Sequence, residues 1–135
     1  MFQAIYTSLA KRELGLSEMF GLVEQASANN RKANITGLLL FHQGDILQIL
    51  EGDEKVIRDL LQKIKIDPRH SDFTIMLERT RDHRSYPDWS MQFKPIETAD
   101  EVAYFELMLR ELKNASPHKD QIKLRSLSKN IIEPS

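Results

Sequence analysis

Along the first residues, Phe2, Ala4 and Tyr6 alternate with Gln3, Ile5 and Thr7, a period of two that predicts a strand over residues 2–8. A polar loop, residues 9–15, follows. From Ser17 to about Asn30 the period lengthens: Met19, Phe20, Leu22, Val23 and Ala26 fall on one face of a helix. Three and four residues beyond Ala26 stand Asn29 and Asn30, so the apolar face ends in two amides expected to point inward. Residues 35–42 and 46–51 read as strands joined by the turn residues Gln43, Gly44 and Asp45. The second of these is apolar on both faces through Ile46, Leu47, Ile49 and Leu50, as expected of a central strand covered on both sides, with Gln48 in its middle. Asp53 caps a helix that runs to about Lys65, with Ile57, Leu60, Leu61 and Ile64 as its apolar positions and Asp67-Pro68 as its stop. Residues 73–78 predict a strand in which Ile75 and Leu77 alternate with Thr74 and Met76. A polar stretch then leads to a last short strand, residues 89–94, with Trp89, Met91 and Phe93 on one face. Thr98-Ala-Asp-Glu101 is a capping-box pattern opening a helix to Lys113, whose stripe is Val102, Phe105, Met108, Leu109 and Leu112. Residues 114–117 end that helix, and the polar tail from His118 to Ser135 reads as a short further helix or partly disordered chain.

Strand, helix, hairpin, helix, strand, strand is the order of an α+β ferredoxin-like βαββαββ sandwich with two helices on one face. The doubly apolar strand needs cover on its other face, which assigns the helix after Thr98 to that side. Composition narrows the chemistry. The 135 residues carry a net charge of −1, so the basic footprint of a dedicated nucleic-acid binder is absent. With no cysteine, disulfides, thiolate catalysis, zinc–thiolate sites and iron–sulfur clusters are excluded together. No apolar run approaches the roughly 20 residues that span a bilayer, and no signal peptide opens the chain, so a soluble cytoplasmic protein is expected.

Candidate chemistry gathers at a few polar residues. An unpaired amide in a buried strand costs about 1–3 kcal/mol, so Gln48 needs a partner, either a structural one or a ligand. The first strand neighbours the third in this topology, which makes Tyr6 and Gln48 potential cross-sheet neighbours. Asn29 and Asn30 offer donor and acceptor together, suited to the edge of a flavin, pterin or nucleobase, although tandem Asn also serves as a plain helix cap. Lys63, Arg69 and His70 gather donors near the end of the second helix, a solvated patch unless a phosphate lies between the helices. The four histidines, His42, His70, His83 and His118, show no metal-ligand spacing, and no glycine-rich phosphate loop is present.

Five segments in order resemble the BLUF family, sensors of blue light using flavin adenine dinucleotide: Ile5-Tyr6-Thr7-Ser8; Asn29-Asn30 with Ile35-Thr36-Gly37-Leu38-Leu39; Leu47-Gln48-Ile49-Leu50-Glu51-Gly52; Asp67-Pro68-Arg69-His70; and Trp89-Ser90-Met91. The likeness spans residues 1–97, which implies a BLUF photosensor domain there and a helical extension over 98–135 without a separate output domain. It implies an isoalloxazine ring between the two N-terminal helices, with Tyr6 as the photoactive tyrosine and Gln48 as the switching glutamine. Asn30 matches the amide at the ring edge and Asn29 its variable neighbour. Lys63, Ile64, Arg69 and His70 match positions lining the cofactor, and Trp89 with Met91 match the pair that responds to the glutamine. The implied cofactor is FAD, with FMN and riboflavin as possible occupants.

The mechanism that the resemblance implies is a hydrogen-bond switch: Tyr6 gives an electron to the excited flavin, a proton moves through Gln48, and recombination leaves the amide rearranged. An amide is the neutral side chain with both donor and acceptor, so turning it rewires a network without moving a charge. The expected output runs through the last strand to the C-terminal helix and on to a downstream signalling protein. A homo-oligomer is expected; neither direct nucleic-acid binding nor membrane binding, nor enzymatic activity, is. The rival readings are a flavin-binding module without light signalling, an acylphosphatase-like small hydrolase, and an RNA-binding module. The hydrolase lacks the glycine pattern of its phosphate loop, and the RNA-binding module lacks aromatics on the middle strand.

Overall fold

The computed structural model describes residues 1–115 and 119–132; His118 and the end of the tail lie outside the described residues. The elements are β1 (Phe2–Ala10), α1 (Leu16–Lys32), β2 (Thr36–His42), β3 (Asp45–Gly52), α2 (Glu54–Lys65), β4 (His70–Thr80), β5 (Gln92–Pro95), α3 (Ala99–Lys113), a 3₁₀ turn (Lys119–Gln121) and α4 (Leu124–Ile132). They build one five-stranded sheet in the order β4-β1-β3-β2-β5, antiparallel except for β5, which runs parallel to β2. This is the ferredoxin-like arrangement with an added fifth strand.

The period-two pattern sorts the sheet into two cores. Phe2, Ala4, Tyr6, Leu39, Phe41, Ile46 and Leu50 pack on Met19 and Val23 of α1 and Ile57 and Leu61 of α2. Ile5, Leu38, Leu40, Leu47, Ile49 and Leu77 pack on the opposite side against Phe105, Met108 and Leu112 of α3 and Leu124 and Ile131 of α4. The C-terminal helices therefore cover the second face, and the tail does form a helix over the described residues. On β3 the even-numbered side chains face α1 and α2, the odd-numbered ones α3 and α4.

Local chemistry sets the joints. Gln43 and Gly44 both take positive φ (49° and 92°), the geometry of a two-residue primed hairpin turn, and Asp45 joins β3 opposite His42. Asp53 accepts the Val56 N–H at 3.2 Å and caps α2. Thr98 and Glu101 form the reciprocal capping box of α3. The Glu101 carboxylate also reaches Lys94 of β5 at 2.9 Å, tying helix to strand. At Gly37 an added Cβ would lie 1.9 Å from the Ile49 carbonyl oxygen, so only glycine admits this approach of β2 to β3.

Three expectations change. β1 extends to Ala10. β4 runs from His70 to Thr80, and its alternation breaks at Met76, because the register against β1 slips between Ile5 and Tyr6. Met76 and Leu77 consequently both pack toward α3 and α4, and Ile75 is left exposed. The last strand is only residues 92–95: the chain bends at Ser90, which ends the shared face expected for Trp89, Met91 and Phe93.

Candidate functional site

Between α1 and α2, above the middle of the sheet, lies a cleft of about 190 Å³. Leu14, Met19, Leu22, Val23 and Ala26 line one side, Leu60 and Ile64 the other, and Tyr6, Leu39, Ile46, Gln48 and Met91 its floor; Asn30, Asp67, Arg69 and His70 bring polar groups to it. A space below the roughly 300–1,000 Å³ of a whole drug-sized site admits a flat ring system and leaves anything longer at the mouth.

The floor carries a short relay. Antiparallel pairing of β1 with β3 sets Tyr6 directly opposite Gln48. The Tyr6 hydroxyl donates to Gln48 Oε1 at 2.5 Å, and Gln48 Nε2 donates to Met91 Sδ at 3.3 Å. All three side chains are buried. The amide is thus paired at both ends by groups of the chain itself. Burial, reinforced by the Asp67 carboxylate, pushes the Tyr6 phenol well above its ordinary pKa, so it remains a donor. The Tyr6 ring also packs on Phe73, with centroids 4.8 Å apart.

At the end of the α1 stripe, Asn30 is buried and donates through Nδ2 to the Ser90 carbonyl at 3.1 Å, while the Ser27 and Ser90 hydroxyls are hydrogen-bonded to each other. The spacing Met19, Val23, Ala26, Asn30 stays on one helical face, and Asn29, about 100° away, is exposed rather than inward. Below α2, Arg69 grips Asp67 with both nitrogens, Nε to Oδ1 at 3.0 Å and a terminal nitrogen to Oδ2 at 2.5 Å. The hydrogen bond from the Arg69 side chain holds the Asp67 carboxyl down at about 2. His70 Nε2 donates to the Ile64 carbonyl at 2.5 Å, and its buried Nδ1 has no hydrogen-bond partner among the described residues.

Of the residues expected at the site, the structure brings together Tyr6, Asn30, Gln48, Ile64, Arg69, His70 and Met91. Asn29 and Lys63 do not line the cleft, and both are exposed. Trp89 is not beside Met91. It packs with the second core, its ring stacked on Tyr86 at 5.7 Å and covered by the Arg125 guanidinium of α4 at 4.9 Å. The bend at Ser90 sends the two side chains to opposite sides of the sheet, with Met91 on the cleft side. Sequence reasoning missed Leu14, Asp67 and Ser90. In the sequence Asp67 reads as a helix stop, and Ser90 as the outward residue of a regular strand.

The described residues hold no group of three or more His, Cys, Asp or Glu able to bind a metal, and no described helix is long and apolar enough to cross a membrane. The cleft suits a flavin on two counts. Its walls are apolar with a few convergent polar groups, and a buried ring nitrogen, His70 Nδ1, has no partner among the described residues.

Known proteins resemble this chain in sequence and fold. A family model described as BLUF, sensors of blue-light using FAD, matches residues 1–92. The photoactivated adenylate cyclase subunit beta of Euglena longa is 32% identical over 87 residues, 64% of this chain but 10% of that protein. The chain therefore spans about a tenth of the length of such cyclase relatives. The dark-state structure of BlrB, a BLUF protein, superposes with a TM-score of 0.74 over 93% of this chain and 92% of that one at 23% identity, a likeness of fold. Klebsiella pneumoniae BlrP1, solved with FMN and cyclic diGMP, is 27% identical with a TM-score of 0.72 over 98% of this chain and 34% of that one.

Proposed function

This chain belongs to the BLUF family of blue-light sensors that use flavin, and from that membership we propose that the flavin ring lies in the α1–α2 cleft and is read by Tyr6, Gln48 and Met91. Sensing blue light through a bound flavin is the function of the family and of this member. The cyclase activity of the longer relatives is not carried over, because the match covers a tenth of their length.

The observation that carries the site assignment is the relay Tyr6–Gln48–Met91 on the floor of a ring-sized cleft. Asn30 would hold the ring edge from the end of α1, and Ile64 would pack on its face. His70 Nδ1, unpartnered among the described residues, would pair with a polar group of the ligand. Arg69 stands on the phosphate side, where FAD, the flavin named for the family, places its charge. FMN and riboflavin share the ring and compete for the same cleft. The bound flavin supplies blue absorption and an oxidising excited state. Everything else falls to the chain. Tyr6, kept protonated, presents an O–H to the amide. Gln48, turned half a revolution, exchanges its donor and acceptor ends, so that Nε2 faces Tyr6 and Oε1 faces the Met91 sulfur. That exchange breaks the N–H···S contact and leaves Met91 free to repack, with no charge moved.

In this reading residues 1–97 are the sensor and 98–135 the output. β5 leads into α3 through the Lys94–Glu101 ion pair, and α4 leans on Trp89. The rearranged surface is offered to a downstream protein, and α3 supplies the contact of a homo-oligomer. The test is an absorption spectrum of protein supplied with FAD. Blue light should shift the flavin band to the red, with recovery in darkness, and Gln48→Leu should keep the flavin while losing the shift. Protein that stays colourless, or a Gln48→Leu variant that still shifts, refutes the assignment.

A further inference from the structure

The chain between β4 and β5 places Trp89 in the core on the far side of the sheet and Met91 beside Gln48. Glu51 lies on β3 three residues beyond Gln48, on the opposite face, fully buried. Its carboxylate takes the backbone N–H of two successive loop residues: Ser85 N donates to Oε2 at 2.7 Å and Tyr86 N to Oε1 at 2.8 Å. Gln3 Nε2 donates to Oε2 at 2.8 Å and the Thr36 hydroxyl to Oε1 at 3.4 Å, so four donors converge on one side chain. Arg84 closes the same joint from outside, donating to the Glu51 carbonyl at 2.9 Å, the Thr36 hydroxyl at 2.8 Å and the Asn34 carbonyl at 2.8 Å. A buried carboxylate is tolerated when it is this fully hydrogen-bonded, and such a site is intolerant of partial loss.

The loop continues directly from this clamp. Tyr86, fixed through its N–H, is 1% exposed and stacks on Trp89. The Trp89 carbonyl then accepts Gly37 N–H at 2.9 Å, and after the bend at Ser90 the next side chain inward is Met91. We propose that Glu51 is the positioning residue that selects Met91, not Trp89, as the neighbour of Gln48, by clamping the Ser85–Tyr86 backbone. The proposal rests on the assignment of Gln48 and Met91 as the switch. It adds that the facing residue is chosen from the far side of the sheet. With the clamp weakened, the loop loses its register, and Trp89 gains access to the cleft from which Met91 is released.

Glu51→Gln tests this, because an amide keeps the shape but puts an NH₂ where one of the two backbone N–H groups must be accepted. Trp89 is the sole tryptophan, so fluorescence reports on it alone. In flavin-loaded protein in the dark, the variant should bind flavin and still shift under blue light. Its tryptophan emission should fall as the indole approaches the flavin. Its dark recovery should change by about fivefold or more, the scale of one hydrogen bond in a barrier. Glu51→Asp, which keeps the charge, should restore part of both. If Glu51→Gln does not fold, Arg84→Gln opens the same joint from its half-buried side and carries the same two readouts. Tryptophan emission and recovery equal to the parent protein in the folded variant overturn the proposal and leave the switch intact. A parent protein that shows no light-driven shift overturns the switch itself, and the proposal with it.

Discussion

Tyr6 and Gln48 were legible in the sequence for a physical reason. A mid-strand amide between Leu47 and Ile49 must be paired, and in this topology β1 is the strand beside it. The pairing also makes the site sensitive to small changes. Tyr6→Phe leaves Gln48 Oε1 without its donor inside the core and should cost about 1–3 kcal/mol, read as a lower urea midpoint; an unchanged midpoint would show that the bond is not formed. Burial also raises the Tyr86 phenol to about 12 and moves Tyr6 upward. Phenols raised in the folded state are neutral there while those of the unfolded chain ionise, so their contribution is complete below about pH 10. It is lost as pH climbs toward about 12. Unfolding titrations should therefore show stability falling across that window, and a flat profile contradicts the burial argument. Asn29, expected to point inward beside Asn30, is exposed because adjacency in sequence is not adjacency on a helix. One residue turns the side chain by about 100°, enough to take Asn29 out to solvent while Asn30 stays in.

At the scale of elements, regular periods were read correctly and irregularities were not. The two faces of β1 and β3, the cap at Asp53 and the capping box at Thr98 follow from local rules that the chain obeys. The slip in β4 and the bend at Ser90 depend on partners distant in sequence, Ile5 and Tyr6 in one case and Gly37 and Glu51 in the other. For that reason period-two reasoning placed Trp89 and Met91 on one face when they stand on two. The joint between β5 and α3 rests on Glu101. The hydrogen bond from Lys94, followed by that from the Thr98 N–H, lowers its carboxyl to about 2. A carboxyl lowered on folding stabilises the native state above its unfolded pKa, roughly 4.3. That contribution disappears as pH falls toward about 2. Glu101→Gln should lower the melting temperature at neutral pH, and the gap from the parent protein should close in acid; a gap that stays constant down to that pH would remove the ion pair from the account.

Over the whole molecule, one sheet separates two cores, the cleft with α1 and α2 on one side and α3 with α4 on the other. Met91 belongs to the first core and Trp89 to the second, so the chain crosses from sensor side to helical side within three residues. The Tyr86 hydroxyl pairs with Ser128 of α4 at 2.8 Å, and Arg125 covers Trp89, which makes α4 the helix most directly touched by that crossing. Illumination should accelerate amide hydrogen exchange in residues 124–132 and leave it unchanged in Gln48→Leu; equal exchange in light and darkness would disconnect α4 from the switch. The central claim, that light turns the Gln48 amide between Tyr6 and Met91, is tested most directly by light-minus-dark infrared spectra of flavin-loaded protein carrying isotope-labelled glutamine. The account predicts a label-sensitive change in the side-chain amide carbonyl band that vanishes in Gln48→Leu. A red-shifted flavin with no change in any labelled glutamine band would contradict it.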